Sequence, residues 1–320
     1  MRAAACAAAL SLAAPAAASD FVLAQPIDCI LGETCHIQSY VDRDAGPGAQ
    51  DYRCGTLSYD GHKGTDFALP TLAEMRAGVD VLAAAPGVVA GWRDGMPDSG
   101  YSEASAPQID GRECGNGVVL RHAGGYETQY CHLKRGSLRV RDGERVAVGT
   151  VLGQVGLSGL TEFPHLHLSL RRDGAEIDPF DSAGTETCGP GDAHLWQSAP
   201  PYQPGGMLMA GFAPGIPGYD AVQAGSAARA ELARDAPGLV LFGYAYGGQT
   251  GDTMRLVISG PQGAVIDEVM PIDADQARFF RAAGKRRPAG GWPAGRYFGE
   301  VELRRNGQVL GRLTREISLR

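Results

Sequence analysis

Apolar and polar residues alternate in short runs along most of this chain, and glycine or aspartate breaks the runs. The stretch PHLHLSL at 164–170 is the clearest case: every second position is apolar, as in a half-buried strand. GNGVVLRH at 115–122 and YETQYCHL at 126–133 flank a glycine-containing loop and predict a hairpin. VDVLAAAPGVVAGW at 79–92 and VRDGERVAVGTVLGQVG at 140–156 add strands around further turns, while LAEMRAGV at 72–79 reads as one helical turn or a loop. The pattern restarts after residue 206. GLVLFGYAYGG, DTMRLVISGPQG, AVIDEVMPI, GRYFGEVELRRNGQ and VLGRLTREISL follow at regular spacing, and Asn306-Gly307 predicts a tight hairpin. The chain is therefore expected to be mainly β, with an immunoglobulin-like β-sandwich in its second part.

Composition shifts divide the chain. WQSAPPYQPGG at 196–206 is a Pro-rich linker between a domain at 60–195 and the sandwich at 207–320. Residues 93–113 form a polar insertion suited to the rim or lid of a cleft. Residues 19–59 are a cysteine-containing lead-in stapled onto the first domain. The start, MRAAACAAALSLAAPAAASDF, has a positive residue, an Ala/Leu-rich stretch and an A-x-A site. It reads as a signal peptide at 1–18, cut before Ser19, with Cys6 leaving alongside it.

A net charge of −7 over 320 residues argues against a nucleic-acid binder, and no later apolar run is long enough to span a bilayer. Cys29, Cys35, Cys54, Cys114, Cys131 and Cys188 remain after the signal, an even number suited to disulfides in an oxidising compartment. Cys29–Cys35, across a short local loop, and Cys114–Cys131, across the hairpin, are the expected pairs.

Two strings carry the candidate chemistry. GHKGTDFALP at 61–70 places His62 and Asp66 four apart, and PHLHLSL places His165 and His167 on one strand face. Three N/O ligands with one open position make a catalytic zinc site. His132 supplies a further imidazole, and neutral imidazoles suit proton transfer near neutral pH. His36, His122 and His194 read as structural, and residues 207–320 contain no histidine.

Taken in order, these strings resemble the lysostaphin-type (LytM-type) zinc peptidases over roughly 60 to 180. H-x-G-x-D stands as His62-Lys63-Gly64-Thr65-Asp66, Y-x-H-L as Tyr130-Cys131-His132-Leu133, and H-L-H as His165-Leu166-His167. VLAAAPGVVAG, GNGVVLRH and VGTVLGQVG extend the likeness. The resemblance implies a mostly antiparallel β-sheet peptidase domain with one Zn2+ per chain, held by His62, Asp66 and His167. His132 and His165 would be the catalytic pair that does not bind metal, and Tyr130, expected on the face of His132, would line the substrate groove. The implied function is hydrolysis of the peptide cross-links of bacterial peptidoglycan by an exported, periplasmic or extracellular, zinc metalloendopeptidase. Apart from the resemblance, the sandwich shows no catalytic constellation and is expected to help position the enzyme or cover the groove, with other cell-envelope proteins as its candidate partners. The chain departs from the family where T-G-x-x-T-G-P usually stands: here it is SGLTEFPHLH, with Phe163 before Pro164. That departure bears on substrate preference. The alternatives are a non-catalytic activator of a cell-wall amidase, against which the complete set of five residues argues, and a secreted zinc protease acting on Gly-rich peptides or proteins.

Overall fold

Leu166, Leu168 and Leu170 are buried under the His165–Arg172 strand, while His165, His167 and Ser169 alternate onto its other face. A computed structural model describes this strand within residues 21–184, 188–189 and 193–320. The expected signal peptide lies outside the described residues. The strand is central to an antiparallel sheet. Its neighbours are Thr65–Ala68 on one side, followed by His36–Ser39, and Tyr126–Leu133 on the other, followed by Asn116–Arg121, Gly87–Arg93 and Arg145–Val146. Register sets two rows of side chains on the face opposite the leucines. One row runs His36, Ala68, His165; the other brings Asp66 and Cys131 to either side of His167.

The lead-in is built into this unit. Leu23, Ile27 and Tyr40 belong to its core, and His36–Ser39 is a strand of its sheet. Trp196, expected at the head of the linker, packs in the same core, 5.2 Å from the Phe180 ring. The stretch read as a helical turn or loop is the helix Leu72–Ala77, opened by a Thr71–Glu74 capping box. The insertion at 93–113 carries one short helix, Ala106–Ile109. Cys29–Cys35 and Cys114–Cys131 are both bonded, and Cys54–Cys188 ties the lead-in to the far end of the unit.

The second unit is two sheets around a separate core that includes Leu239, Leu241, Met254, Leu256 and Val301. One sheet holds Gly206–Ala213, Gly238–Gly248 and Gln276–Arg286. The other holds Glu231–Leu232, Gln308–Leu319, Gly295–Arg305, Thr253–Gly260 and Gly263–Pro271. Asn306 and Gly307 both take positive φ, 50° and 79°, as a tight turn between the last two strands requires. The sandwich leans on the edge of the first sheet. The Tyr246 ring stands 4.2 Å from His36, Gln249 Nε2 donates to Thr56 Oγ1 at 2.8 Å, and Arg278 Nε donates to Gln38 Oε1 at 2.9 Å. Among the described residues no helix is long and apolar enough to cross a membrane.

Candidate metal centre

Asp66 comes into the site from the Thr65–Ala68 strand, directly opposite His167 on the neighbouring strand. Its Oδ1 lies 2.8 Å from His167 Nδ1, 3.2 Å from His62 Nε2 and 3.4 Å from His165 Nε2. His62 Nε2 is also 3.1 Å from His167 Nδ1. Three ligand atoms around a tetrahedral zinc at ordinary bond lengths lie about 3.3 Å from one another. His62, Asp66 and His167 therefore form a triangle of the size that one such ion spans.

The protons point the same way. His62 Nδ1 donates to the Tyr40 carbonyl at 2.7 Å, which leaves Nε2 of the neutral ring bare. His167 Nε2 meets Ser169 Oγ at 3.0 Å; with its proton there, Nδ1 is bare as well. Two lone pairs and a carboxylate oxygen then converge on one point, and a cation satisfies them together. Burial raises the pKa of the Asp66 carboxyl, but His62, His165 and His167 outweigh it and hold that carboxyl well below the usual range. Ionised Asp66 therefore supplies the negative charge that such a cation needs.

His132 and His165 complete the cluster without joining the triangle. Their rings stand 4.6 Å apart, and the His132 ring is 6.0 Å from that of His167. His132 Nδ1 donates to the Ser158 carbonyl at 2.8 Å, and His165 Nδ1 to the Phe163 carbonyl at 3.0 Å. A carbonyl can only accept, so each ring carries a proton on Nδ1, and the neutral form of each leaves Nε2 bare. Burial, followed by the neighbouring His165 and His167, keeps the His132 pKa well below the usual histidine range, so that ring is neutral. His62, Asp66, His132 and His165 are buried, whereas the His167 side chain is 16% exposed, so the centre is most open beside His167.

Tyr130 is a correction. Strand alternation put it on the face of His132, lining a groove. Instead it is fully buried, opposite Leu168 on the leucine side of the sheet. Alternation fails because His132 has φ +62°, outside the strand region, and this turns its ring to the metal side. Two backbone bonds hold the turn: His132 N–H to the Cys114 carbonyl at 2.8 Å and Gly156 N–H to the His132 carbonyl at 3.0 Å. The Tyr130 hydroxyl accepts from Ala84 N–H at 2.8 Å and meets Thr128 Oγ1 at 3.2 Å. Thr128 Oγ1 lies 2.7 Å from His122 Nε2, and His122 Nδ1 donates to the Pro86 carbonyl at 2.8 Å. Tyr130 and His122 thus share an internal hydrogen-bond chain with a backbone group at each end.

Sequence reading assigned no role to Gly64, which sits between the two motif residues. A Cβ there would lie 2.6 Å from His167 Nε2 and 2.7 Å from the Leu168 carbonyl. Its φ is unexceptional, so the requirement is for space.

Comparison with known proteins covers the same stretch. Residues 60–179 match the model of Peptidase family M23. The peptidoglycan DD-endopeptidase ShyC of Vibrio cholerae is 33% identical over 118 residues, 37% of this chain and 22% of that protein. The DD-carboxypeptidase/endopeptidase Mpg of Neisseria meningitidis serogroup B is 32% identical over 125 residues, 38% of this chain and 23% of its own. The match thus spans less than a quarter of the length of these relatives. Among solved structures, the catalytic domain of the prophage-encoded M23 protein EnpA from Enterococcus faecalis aligns at 24% identity and a TM-score of 0.31. That alignment covers 45% of this chain and 92% of that one. The stretch that matches Peptidase family M23 contains His62, Asp66, His132, His165 and His167.

Proposed function

We propose that this protein is a zinc metalloendopeptidase that cuts the peptide cross-links of bacterial peptidoglycan. One observation carries the reading: His62, Asp66 and His167 converge at the spacing of a single ion, while His165 Nε2 stands 3.4 Å from Asp66 Oδ1 and the His132 ring lies 4.6 Å from that of His165. In this reading His62 Nε2, Asp66 Oδ1 and His167 Nδ1 hold the metal. When bound, zinc polarises the scissile carbonyl and makes a water acidic enough to attack near neutral pH. His132 and His165 do the proton work. A bare Nε2 accepts the proton of the attacking water, and the resulting imidazolium returns it to the leaving amine. The Ser158 and Phe163 carbonyls keep each Nδ1 proton in place, so neither ring flips between the two steps. The names of the two relatives support the substrate class. Three disulfides support an exported protein, in keeping with a signal peptide at 1–18. The unit at 60–195 carries the chemistry, and the sandwich at 207–320 is an accessory to it.

Purified sacculi incubated with the protein, with and without chelator, test the proposal. Mass identification of the fragments is expected to show cross-linked muropeptides cut to monomers, stopped by chelator and restored by added zinc. The same fragments distinguish endopeptidase cleavage from loss of a terminal residue. Cleavage that survives exhaustive chelation, or none with zinc-replete protein, overturns the reading.

A further inference from the structure

Arg278 belongs to the sandwich, on the Gln276–Arg286 strand, yet its side chain reaches the edge of the metal centre. Its Cζ sits 4.0 Å from the centroid of the Phe163 ring. The Phe163 ring stands 4.6 Å from the His165 imidazole at a 32° tilt, so guanidinium, phenyl and imidazole are in serial contact. Hydrogen bonds fix the guanidinium at its other atoms: Nε to Gln38 Oε1 at 2.9 Å and Nη2 to the Leu69 carbonyl at 3.2 Å. Leu69 N–H in turn donates to the Pro164 carbonyl at 2.9 Å. Arg278 therefore stacks on Phe163 and is bonded to the residue that holds Pro164.

Those two residues form the approach to His165. The Phe163 carbonyl takes the Nδ1 proton of His165, and Thr161 Oγ1 donates to that same carbonyl at 2.8 Å. Residues 157–164 lie outside any strand, so no sheet ladder holds the Phe163 carbonyl in this direction. A cation over an aromatic face, with its donors tied to Gln38 and to the Leu69 carbonyl, supplies that restraint. Phe163 is also where the chain departs from its family's usual motif, and Arg278 comes from a part of the chain outside the matched stretch.

We infer that Arg278 is a positioning residue for the hydrolytic reaction: it fixes the Phe163–Pro164 segment and, through it, the tautomer and aim of His165. The inference rests on the peptidase reading above. Arg278→Ala is expected to lower kcat about tenfold with KM and metal content unchanged, because a ring held loosely is often misaimed. Arg278→Lys keeps a cation at the ring and is expected to recover part of the loss. Phe163→Leu removes the stack from the other side and is expected to match Arg278→Ala. Gln249→Ala breaks a sandwich contact remote from the centre and is expected to leave kcat as it was. A second readout needs neither metal nor turnover. In chelated protein, the imidazole nitrogen spectrum of His165 is expected to show the Nδ1–H tautomer in the wild type and a mixture in Arg278→Ala and Phe163→Leu.

Wild-type kcat and an unmixed tautomer in Arg278→Ala overturn the inference. So does an equal loss in Gln249→Ala, which would mark Arg278 as an interface clamp only. If Arg278→Ala does not fold, Phe163→Leu decides by the same two measurements. Chelator-insensitive wild-type protein would remove the peptidase reading, while the imidazole spectrum still decides whether Arg278 sets the tautomer.

Discussion

His132 and His165 face each other with ring centroids 4.6 Å apart, and each gives its Nδ1 proton to a backbone carbonyl. The pair is therefore set by two main-chain carbonyls of the single 157–164 segment, Ser158 and Phe163. In the proposed reaction, replacing either ring removes a proton carrier but none of the atoms that converge at the Asp66 triangle. His165→Gln is expected to retain metal, by elemental analysis, and to lose turnover by about a hundredfold or more. His62→Ala is expected to lose the metal itself. A zinc-replete, active His62→Ala protein would sink the ligand assignment.

Gly64 gives a sharper steric test. A methyl group there runs into the His167 ring and the Leu168 carbonyl, and neither is the end of a flexible side chain. Gly64→Ala is expected to weaken zinc binding on the order of tenfold to a hundredfold, as disturbances beside a ligand typically do. Titration with a competing chelator measures it, with far-UV circular dichroism as the check that the sheet persists.

Cys114 and Cys131 brace the same region. The bond closes a loop with a sequence separation of 17, and the Cys114 carbonyl holds the left-handed backbone of His132. The Cys114→Ala, Cys131→Ala double variant is expected to lose about 3 kcal/mol in urea unfolding, the usual scale for a loop of this length. It is also expected to lose turnover faster than stability, because His132 is then less firmly held. Equal kcat in reduced and oxidised forms would separate the disulfide from the site.

Acid should unfold this protein in part through histidines away from the candidate metal centre. Burial, and then Arg278, hold His36 well below the usual imidazole range, and burial lowers His122 despite its bond to Pro86. A folded-state pKa below the unfolded one means that the unfolded chain binds more protons as pH falls through the unfolded value of about 6.5. The stability these rings contribute is present above that value and is lost below it. In chelator, the melting temperature of the wild type is expected to drop more steeply from about pH 7.5 to about pH 5.5 than that of His122→Gln. Parallel curves would show that His122 titrates no differently when folded.

The alternation of HLHLSL was legible because strand geometry alone assigns its two faces, and the mainly β architecture followed from the same periodicity and its turns. Tyr130 was misplaced by the same rule. The rule presumes strand backbone through His132, and the positive φ there leaves no mark in residue type. Gly64 was visible as a letter of a motif, but its reason is contact with a ring 103 positions later, where proximity depends on register. Cys54–Cys188 and Arg278–Phe163 bring together residues distant in the chain, which local pattern cannot pair. The lead-in's apolar positions lack a period, yet Leu23, Ile27 and Tyr40 belong to the first core and His36–Ser39 is the edge strand of its sheet.

The Arg278–Phe163 contact also has a place in time. Synthesis delivers His62, Asp66, His132, His165 and His167 long before it delivers the Gln276–Arg286 strand. The first unit can gather those five side chains while most of the sandwich has yet to be made, but the guanidinium that stacks on Phe163 comes only with that later strand. A nascent chain would thus gather the histidine–aspartate cluster before Arg278 is in place over Phe163, and that contact would form only once the Gln276–Arg286 strand had docked.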